Sequence, residues 1–211
     1  MPLELDLRQK QKIRRRRFGV NDPYASYSAF DSFTRSDSST SLGSATEKGG
    51  AWTVLQGTGG ITSNKGYGVT SDMRAKLGAM TGGNGTVQCT VSSADWLNNP
   101  VGILFRLTDT NNQLVYVING TASGSIRERT AGTLTSFAGR APSPTLVNGN
   151  SYVFTIVCSG TSVTVFQDGV QLGGVVTLTG NAAAQTGTAC GIWNWSTAGT
   201  GQTFDNFSVT L

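Results

Sequence analysis

Two tryptophans near the C-terminus carry the side chains best suited to hold a ligand. In the run GIWNWSTAG, Trp193 and Trp195 are two residues apart, so a β-strand would present both indole rings on one face. Two flat rings on one face, flanked by the amide of Asn194, would form a platform on which a sugar ring can stack. The same spacing is typical of a late strand whose aromatic side chains pack in the core, and we favour this interpretation, with the sugar platform as the alternative.

The chain contains no histidine, and this excludes several kinds of catalytic site. Ser-His-Asp and Cys-His nucleophilic sites, histidine metal sites and histidine pH switches all need that side chain. The only glutamates are Glu4, Glu47 and Glu128. They do not alternate along one strand, as the two carboxylates of a retaining glycoside hydrolase would in order to lie about 5–5.5 Å apart. We therefore predict no catalytic residues, and a glycoside hydrolase is the weakest alternative.

The three cysteines fit the protein interior better than a reactive or metal-binding site. Their number is odd, no C-x-x-C spacing occurs, and no histidine is available to activate a thiol. We predict that all three are buried as small apolar side chains: Cys89, Cys158 and Cys190.

The loop TDTNNQ holds oxygen-bearing side chains from which a cation site can be built. Asp109, Asn111 and Asn112 are oxygen ligands of the type that calcium takes, although the loop lacks the spacing and the glutamate of an EF-hand. A hairpin turn rich in Asp and Asn explains the same residues, because these side chains hydrogen-bond their own backbone. We predict no cofactor, with calcium at this loop as the alternative.

The N-terminal segment has a charge unlike that of the rest of the chain. Residues 1–17 contain seven of the 16 basic residues and two of the 12 acidic ones, for a net charge of +5, whereas residues 18–211 sum to −1. Three interpretations are open: a solvated tail, a nucleic-acid or nuclear-localisation patch, and an arm that docks on an acidic surface of a larger assembly. We favour the arm, because no interleaved aromatic residues or reading helix accompany the run. The anchoring residues would be Lys10, Lys12, Arg14, Arg15, Arg16 and Arg17.

The rest of the chain has the composition and periodicity of a β-sheet protein. Charged residues make up only 13%, and 28 glycines outnumber 5 prolines, which favours short strands joined by turns. In TVQCTVS, Val87, Cys89 and Val91 alternate with polar residues, which predicts one buried face. SYVFTIVC is apolar on both faces, as a central strand between two layers would be. No run of ten residues shows a 3.6-residue apolar repeat.

Turn signals divide this body into hairpins. VGILFRL and QLVYVIN are joined by a polar loop at 108–112. TSVTVFQ and VQLGG are joined by Asp168-Gly169, a strong hairpin signal because both positions tolerate a positive φ. We count roughly a dozen strands, which predicts an all-β sandwich. The predicted organisation is an N-terminal arm and linker, residues 1–28, followed by one domain, residues 29–211.

Several segments of this body resemble concanavalin A-like jelly rolls of the laminin-G or glucanase type. The run FDSFTRSDSSTSLG, followed by a strand with Trp52 and a short hairpin, is similar to the opening of that family. VGILFRLTDTNNQLVYVIN and VTVFQDGVQLG are similar to its strand pair and its V-x-V-x-x-DG hairpin, and TFDNFSVTL to its closing strand. The resemblance covers residues 29–211 and implies a jelly-roll β-sandwich whose last strand pairs near the first. It says little about activity, although some laminin-G-type modules bind calcium at loops.

Modules of this sequence style are common in tail and surface proteins of bacterial viruses. The start MPLELDLRQKQK has no apolar signal-peptide segment, and no apolar run approaches the roughly 20 residues of a membrane helix. A lectin-like body with a basic arm and no export signal therefore resembles a bacteriophage virion component that is assembled in the host cytoplasm.

The function predicted on this basis is a non-enzymatic virion structural protein, a capsid decoration, minor capsid or minor tail protein that forms a homo-oligomer or is present in multiple copies in the particle. Its arm would bind other virion proteins, with nucleic acid as the alternative partner of the arm, and its body would be displayed outward to contact host surface glycans. No membrane association is predicted. The alternative function is a free carbohydrate-binding lectin or adhesion module.

Overall fold

The computed structural model describes residues 22–120, 124–136, 146–195, 199 and 201–211. The predicted anchoring residues all lie outside the described residues: Lys10, Lys12, Arg14, Arg15, Arg16 and Arg17. Within the described ranges, no helix has the length and apolar character that crossing a membrane would require.

The described residues form sixteen strands and one short helix. In chain order these are β1 (Tyr27–Asp31), β2 (Thr53–Gln56), β3 (Gly59–Thr62), β4 (Lys65–Gly68), β5 (Met73–Ala79), β6 (Gly85–Ser93), β7 (Val101–Asp109), β8 (Asn112–Ile118), β9 (Ser125–Thr130), β10 (Thr133–Ser136), β11 (Ser151–Ser159), β12 (Ser162–Gln167), β13 (Val170–Gln171), β14 (Val176–Thr177), α1 (Gly180–Ala184), β15 (Ala189–Asn194) and β16 (Gln202–Thr210). Several of these strands have only two to four residues, which is why a count from sequence patterns falls short of sixteen.

The strands form two antiparallel sheets that pack as a β-sandwich. The nine-stranded sheet has the order β13-β12-β11-β6-β16-β4-β3, with β1 also paired to β16 and β14 to β12. The seven-stranded sheet has the order β10-β9-β8-β7-β15-β5-β2. The closing strand β16 pairs with the first strand, where Phe30 lies opposite Ser208, as the resemblance implied. The predicted all-β jelly-roll sandwich is confirmed.

The main core lies between the two sheets and follows the predicted alternation. Val87, Cys89 and Val91 of β6, in the nine-stranded sheet, are fully buried. Opposite them, the inner face of the seven-stranded sheet contributes large apolar side chains: Met73, Ala75, Ile103, Phe105, Leu114 and Ile192. Burial of this set on both inner faces holds the layers together.

The predicted interior position of the cysteines is also confirmed. All three are free thiols in buried positions: Cys89, Cys158 and Cys190. Burial raises the pKa of Cys158 to about 12, with the charge of Arg106 opposing the shift, so this thiol stays protonated at neutral pH.

Both predicted hairpins form. β7 and β8 are joined at the 109–112 turn, and β12 and β13 at Asp168-Gly169, whose φ values of 48° and 80° are those that a tight hairpin turn requires. Trp96 lies in the loop after β6, yet its ring is buried and its Nε1 donates to the carbonyl of Val147 (3.0 Å). The loop after β6 is therefore fixed to the body.

The run F-D-x-F-x-R at the start of the body forms a buried polar cluster around Asp31. Arg35 donates to both carboxylate oxygens of Asp31, from Nη1 to Oδ1 (2.7 Å) and from Nη2 to Oδ2 (2.8 Å). The indole Nε1 of Trp52 donates to Oδ2 (2.6 Å), and the backbone N–H of Phe33 donates to Oδ1 (2.9 Å). The ring of Trp52 in turn packs on Phe33 and Phe207. One carboxylate thus ties β1, the following loop and the Trp52 segment into one unit.

Gly191 is a position in β15 where any side chain would collide with the neighbouring strand. A Cβ there would overlap the backbone carbonyl oxygen of Ala75 in β5, next to an irregularity in strand pairing between Ala189 and Gly191. Because backbone cannot yield as a flexible side chain can, we expect Gly191→Ala to lower the free energy of unfolding by about 3 kcal/mol. The matched control is Gly174→Ala, since a Cβ at Gly174 meets nothing within 4 Å. Urea denaturation of both variants measures the difference, and equal stabilities would contradict the predicted packing of β15 on β5.

Candidate functional site

The outer face of the seven-stranded sheet carries an apolar cluster of its own, separate from the main core. Its buried members alternate with core residues along β7, β8 and β15: Leu104, Leu107, Val115, Val117 and Trp193. Partly buried side chains extend it on both sides: Leu55, Leu134, Ala189 and Trp195. A solvent-facing sheet surface is usually polar, so a clustered apolar patch with aromatic residues marks this face as a candidate site.

Trp193 and Trp195 form the centre of this surface. Their rings are stacked, with centroids 4.6 Å apart and an interplanar angle of 12°. Trp193 is only 1% exposed, whereas Trp195, just after the end of β15, is partly exposed. The sequence left open whether these tryptophans pack in the protein or face a ligand. Trp193 is packed, whereas Trp195 lies on top of it and faces outward.

Asn194, predicted beside the two indoles, lies on the opposite face of β15. It is fully buried between the sheets, and its side chain fills the space that a Cβ would take at Gly68 of β4. Side chains of successive strand residues point to opposite faces, so Asn194 cannot share a surface with its two neighbours. The structure brings together Trp193 and Trp195 and separates Asn194 from them.

Three arginines surround the indole pair. Arg74 and Arg129 place their guanidinium carbons 4.8 Å and 5.6 Å from the ring centroid of Trp193, and Arg127 lies 4.9 Å from that of Trp195. Such contacts contribute about 0.5–2 kcal/mol each, more where water is excluded. Arg127 and Arg129 are two residues apart in β9 and share one face of that strand, where both pack on aromatic rings.

The contact between Arg129 and Trp193 requires both side chains to lie across the sheet surface. Arg129 is paired with Gln113, whereas Gly102, the neighbour of Trp193, is paired with Val117. Along β8, Gln113 and Val117 are four residues apart, so the line of paired residues through Arg129 and the line through Trp193 are separated by about 13 Å along the strands. The indole and guanidinium groups therefore cover the central strands of the outer face.

Asp72 holds the stack in position from the start of β5. Its carboxylate forms an ion pair with Arg74 (2.8 Å) and accepts hydrogen bonds from the indole Nε1 of Trp193 (2.7 Å) and the amide of Gln56 (2.6 Å). Arg74 also donates to the backbone carbonyl of Thr110 (2.8 Å). With both oxygens occupied by donors, Asp72 acts as a structural anchor of the aromatic pair.

Gln113 is the unusual polar residue of this face. It points outward from β8, is 0% exposed, and neither its amide nitrogen nor its amide oxygen has a hydrogen-bond partner. Arg129, its direct cross-strand neighbour, likewise has a buried Nε without a partner. An unpaired buried polar group costs about 1–3 kcal/mol, so two adjacent ones are a feature that folding alone does not explain.

A polar groove runs along one rim of the same sheet. It consists of two adjoining cavities of about 330 and 270 Å³ that share Thr108 and Thr186. The lining residues come from five neighbouring strands, from α1 or from the loop after it, and they include Lys76, Ala189, Leu107, Asn112, Thr130 and Gln185. Hydroxyl and amide groups dominate the lining, so the groove offers hydrogen bonds along an extended path.

The loop proposed as a cation site forms an Asx turn. Asp109 Oδ1 accepts hydrogen bonds from the backbone N–H groups of Asn111 (2.7 Å) and Asn112 (2.9 Å). The side chain of Asn112 donates to both carboxylate oxygens, and these hydrogen bonds hold the pKa of Asp109 below its ordinary value. In the described part of the chain, no group of three or more acidic, cysteine or histidine side chains is placed to hold a metal ion. The turn geometry accounts for all three residues, and calcium at this loop stays a prediction.

Sequence reasoning missed most of the residues around Trp193. Arg74 and Asp72 lie far upstream and reach the indole only because β5 and β15 are neighbours in the sheet. Gln113 had a detectable signal, since its amide directly precedes the apolar run LVYVI of the same strand.

Comparison with known proteins supports the fold. No protein-family model and no curated protein sequence matches the chain. A carbohydrate-binding module, CBM66 from Bacillus subtilis, has a similar structure with a TM-score of 0.62 and 14% identity, covering 76% of this chain and 95% of that one. A second similar structure is domain 4 of AbnA, a GH43 extracellular arabinanase from Geobacillus stearothermophilus, solved in complex with arabinotriose. Its TM-score is 0.59 and its identity 14%, and the match covers 87% of this chain and 91% of that one. LamAcat from Zobellia galactanivorans has a TM-score of 0.58 and 9% identity, and the match covers 89% of this chain and 98% of that one. At these identities the likeness establishes the β-sandwich fold alone.

Proposed function

We propose that the chain is a non-enzymatic carbohydrate-binding module that binds glycans on the outer face of the seven-stranded sheet, around Trp195. The observation that carries this proposal is the partly exposed indole of Trp195, stacked at 4.6 Å on the buried Trp193. A ring held rigidly by a second ring loses little conformational freedom when a sugar stacks on it, which favours affinity. Because Arg127 lies over the Trp195 ring at 4.9 Å, the sugar would displace this side chain when it stacks there. The rim groove at the Ala189 end of β15, away from Trp195, supplies hydroxyl and amide partners for further units of an extended glycan.

The chemistry of the surface favours binding over hydrolysis. Glycoside hydrolysis needs a carboxylate free to act as a base or nucleophile and a second one close to it. Asp72, the carboxylate in contact with Trp193, has both oxygens occupied by Arg74, Trp193 and Gln56. The similarity to a carbohydrate-binding module and to an arabinanase domain solved with a trisaccharide fits a sugar-binding role.

This proposal corresponds to the alternative offered by the sequence and not to its main prediction. Docking of the basic arm on a virion concerns residues outside the described ranges and stays a prediction. Assembly in several copies and a location in a bacteriophage particle also stay predictions. A glycan-binding domain is compatible both with a virion protein and with a free carbohydrate-binding module.

A glycan array probed with the full chain tests the proposal. We expect the wild type and a Tyr24→Ala control to bind the same glycans, because Tyr24 is a partly exposed aromatic residue packed on Phe30 of the other sheet. Trp195→Ala should lose those signals. Absence of binding to any glycan, or equal binding by Trp195→Ala, would overturn it.

A further inference from the structure

The candidate surface is strongly basic. Arg74, Arg127 and Arg129 all contact the indole pair, and Lys76 follows Arg74 on the outer face of β5. Asp72 is the acidic residue in contact with the cluster, and its charge is taken by the ion pair with Arg74. The described body outside this face contains most of the acidic residues, so the positive charge is local to the site.

Arg129 is the cation of this cluster that lies directly opposite Gln113 in the sheet. Within the described residues its hydrogen bond runs from Nη1 to the carbonyl of Gly132 (2.9 Å), and it makes no ion pair with a carboxylate. Burial lowers the pKa of Arg129, and the charge of Arg74 lowers it further, although Asp72 opposes this. Burial and the nearby charge of Arg74 both disfavour the positive charge of Arg129, and an anion bound beside the guanidinium would offset both.

Gln113 supplies the second half of a binding site. Residues directly opposite on neighbouring antiparallel strands have Cβ atoms about 4.5–5.5 Å apart, so the amide of Gln113 and the guanidinium of Arg129 start side by side on the same face. The unpaired Nε–H of Arg129 and the unpaired amide N–H groups of Gln113 are donors, and the free amide oxygen of Gln113 is an acceptor.

We propose that the glycan bound at this surface is acidic and that its carboxylate or sulfate group binds between Arg129 and Gln113. The inference rests on the proposed glycan-binding function and names the ligand class. Arg129 pairs with the anion through its guanidinium fork, Gln113 donates a further hydrogen bond to the anion, and the amide oxygen of Gln113 accepts from a neighbouring sugar hydroxyl. Every orphaned polar atom of the pair is then satisfied.

Binding also implies a movement that can be observed. Gln113 is covered in the free chain, whereas Arg129 is partly exposed, so Arg129 must lift from the ring of Trp193 to admit the anion. Loss of the cation from the face of Trp193 should change the fluorescence of that indole. A neutral sugar stacked on Trp195 alone would leave the Arg129–Trp193 contact in place.

The test uses the full chain on an array that carries neutral, uronate-containing and sulfated glycans, with carboxyl-reduced forms of the same uronates. We expect binding to the acidic glycans, loss of the uronate signals on carboxyl reduction, and weakening with added salt. Arg129→Gln should reduce affinity for the bound acidic glycan by about tenfold or more, and Arg129→Lys by less, because it keeps the charge without the fork. Lys65→Gln, which removes a charge from the nine-stranded sheet, is the matched control and should bind like the wild type.

Gln113→Met separates a binding role from a structural one. Methionine keeps the volume and removes two unpaired buried polar atoms, so this variant should be at least as stable as the wild type yet bind acidic glycans more weakly. Binding confined to neutral glycans and dependent on Trp195 would overturn the acidic-ligand inference and leave the proposed function standing. Binding of acidic glycans that is unaffected by Arg129→Gln would also overturn it. No binding to any glycan would overturn both.

Discussion

Replacing Trp195 by alanine is expected to weaken binding of the glycan identified on the array by about 30-fold or more, as loss of a central aromatic contact does at other interfaces. The physical reason is that Trp195 offers the accessible aromatic surface of the Trp193–Trp195 stack, while Trp193 is only 1% exposed. Isothermal titration of the wild type and the variant measures the change in Kd.

The same substitution should leave the fold intact. Trp195 follows β15 and is partly exposed, so its removal forfeits mainly the stacking contact, about 1 kcal/mol of unfolding free energy. Trp193→Ala is the informative contrast, because it removes a buried ring and the hydrogen bond to Asp72, and it should destabilise by about 3–5 kcal/mol. If Trp195→Ala bound the glycan as tightly as the wild type does, the platform would lie elsewhere.

Replacing Asp31 by alanine is expected to be among the most damaging single changes to stability, lowering the free energy of unfolding by about 3–5 kcal/mol. The variant would leave the guanidinium of Arg35 without its partner and the buried Nε1–H of Trp52 without an acceptor. Asp37→Ala is the matched control, since Asp37 is exposed and accepts one hydrogen bond from the backbone of Ser63. Similar stabilities of the two variants in urea would contradict the role assigned to the cluster.

Asp31 should also leave a mark on the pH dependence of stability. Burial raises the pKa of Asp31, but the hydrogen bonds from Arg35, Trp52 and Phe33 together hold it below its ordinary value of 3.8. A carboxyl with a lowered folded-state pKa contributes stability that is present above the unfolded-state pKa and is lost as the pH falls through the folded one. Below pH 4 the wild type should therefore lose stability more steeply than Asp31→Asn, which lacks this group. Parallel curves would show that Asp31 is not favoured in its charged form.

Alternation along strands was sufficient to predict much of the fold, because a buried face imposes a two-residue period that the sequence displays directly. The burial of Val87 and Val91 and the shared face of Trp193 and Trp195 follow from it, whereas the turn at Asp168 follows from the positive φ that Asp-Gly tolerates. The same two-residue period places Asn194 on the inner face of β15. Predicting that Asn194 lies beside the two indoles was therefore inconsistent with the strand alternation that placed Trp193 and Trp195 on one face.

The surroundings of the indoles depend on which strands are neighbours, and no local pattern encodes that order. Arg74 reaches Trp193 because β5 pairs with β15, and Arg129 reaches it by lying across three strand spacings. Strand alternation in the sequence therefore predicted the aromatic pair. It did not predict that the arginines, Asp72 and the unpaired amide of Gln113 lie around that pair. The F-D-x-F-x-R run was recognised by resemblance, and its physical basis, the shared carboxylate of Asp31, became evident only once Trp52 was placed beside it.

Hydrogen–deuterium exchange of the full chain, with and without the glycan identified on the array, tests the central claim most directly. If the outer face of the seven-stranded sheet binds the glycan, added ligand should slow exchange in β5, β9 and β15 and in the segment through Trp195, while β6, β11 and β16 of the other sheet stay unchanged. Slowed exchange confined to β6, β11 and β16 would place the ligand on the nine-stranded sheet and contradict the account.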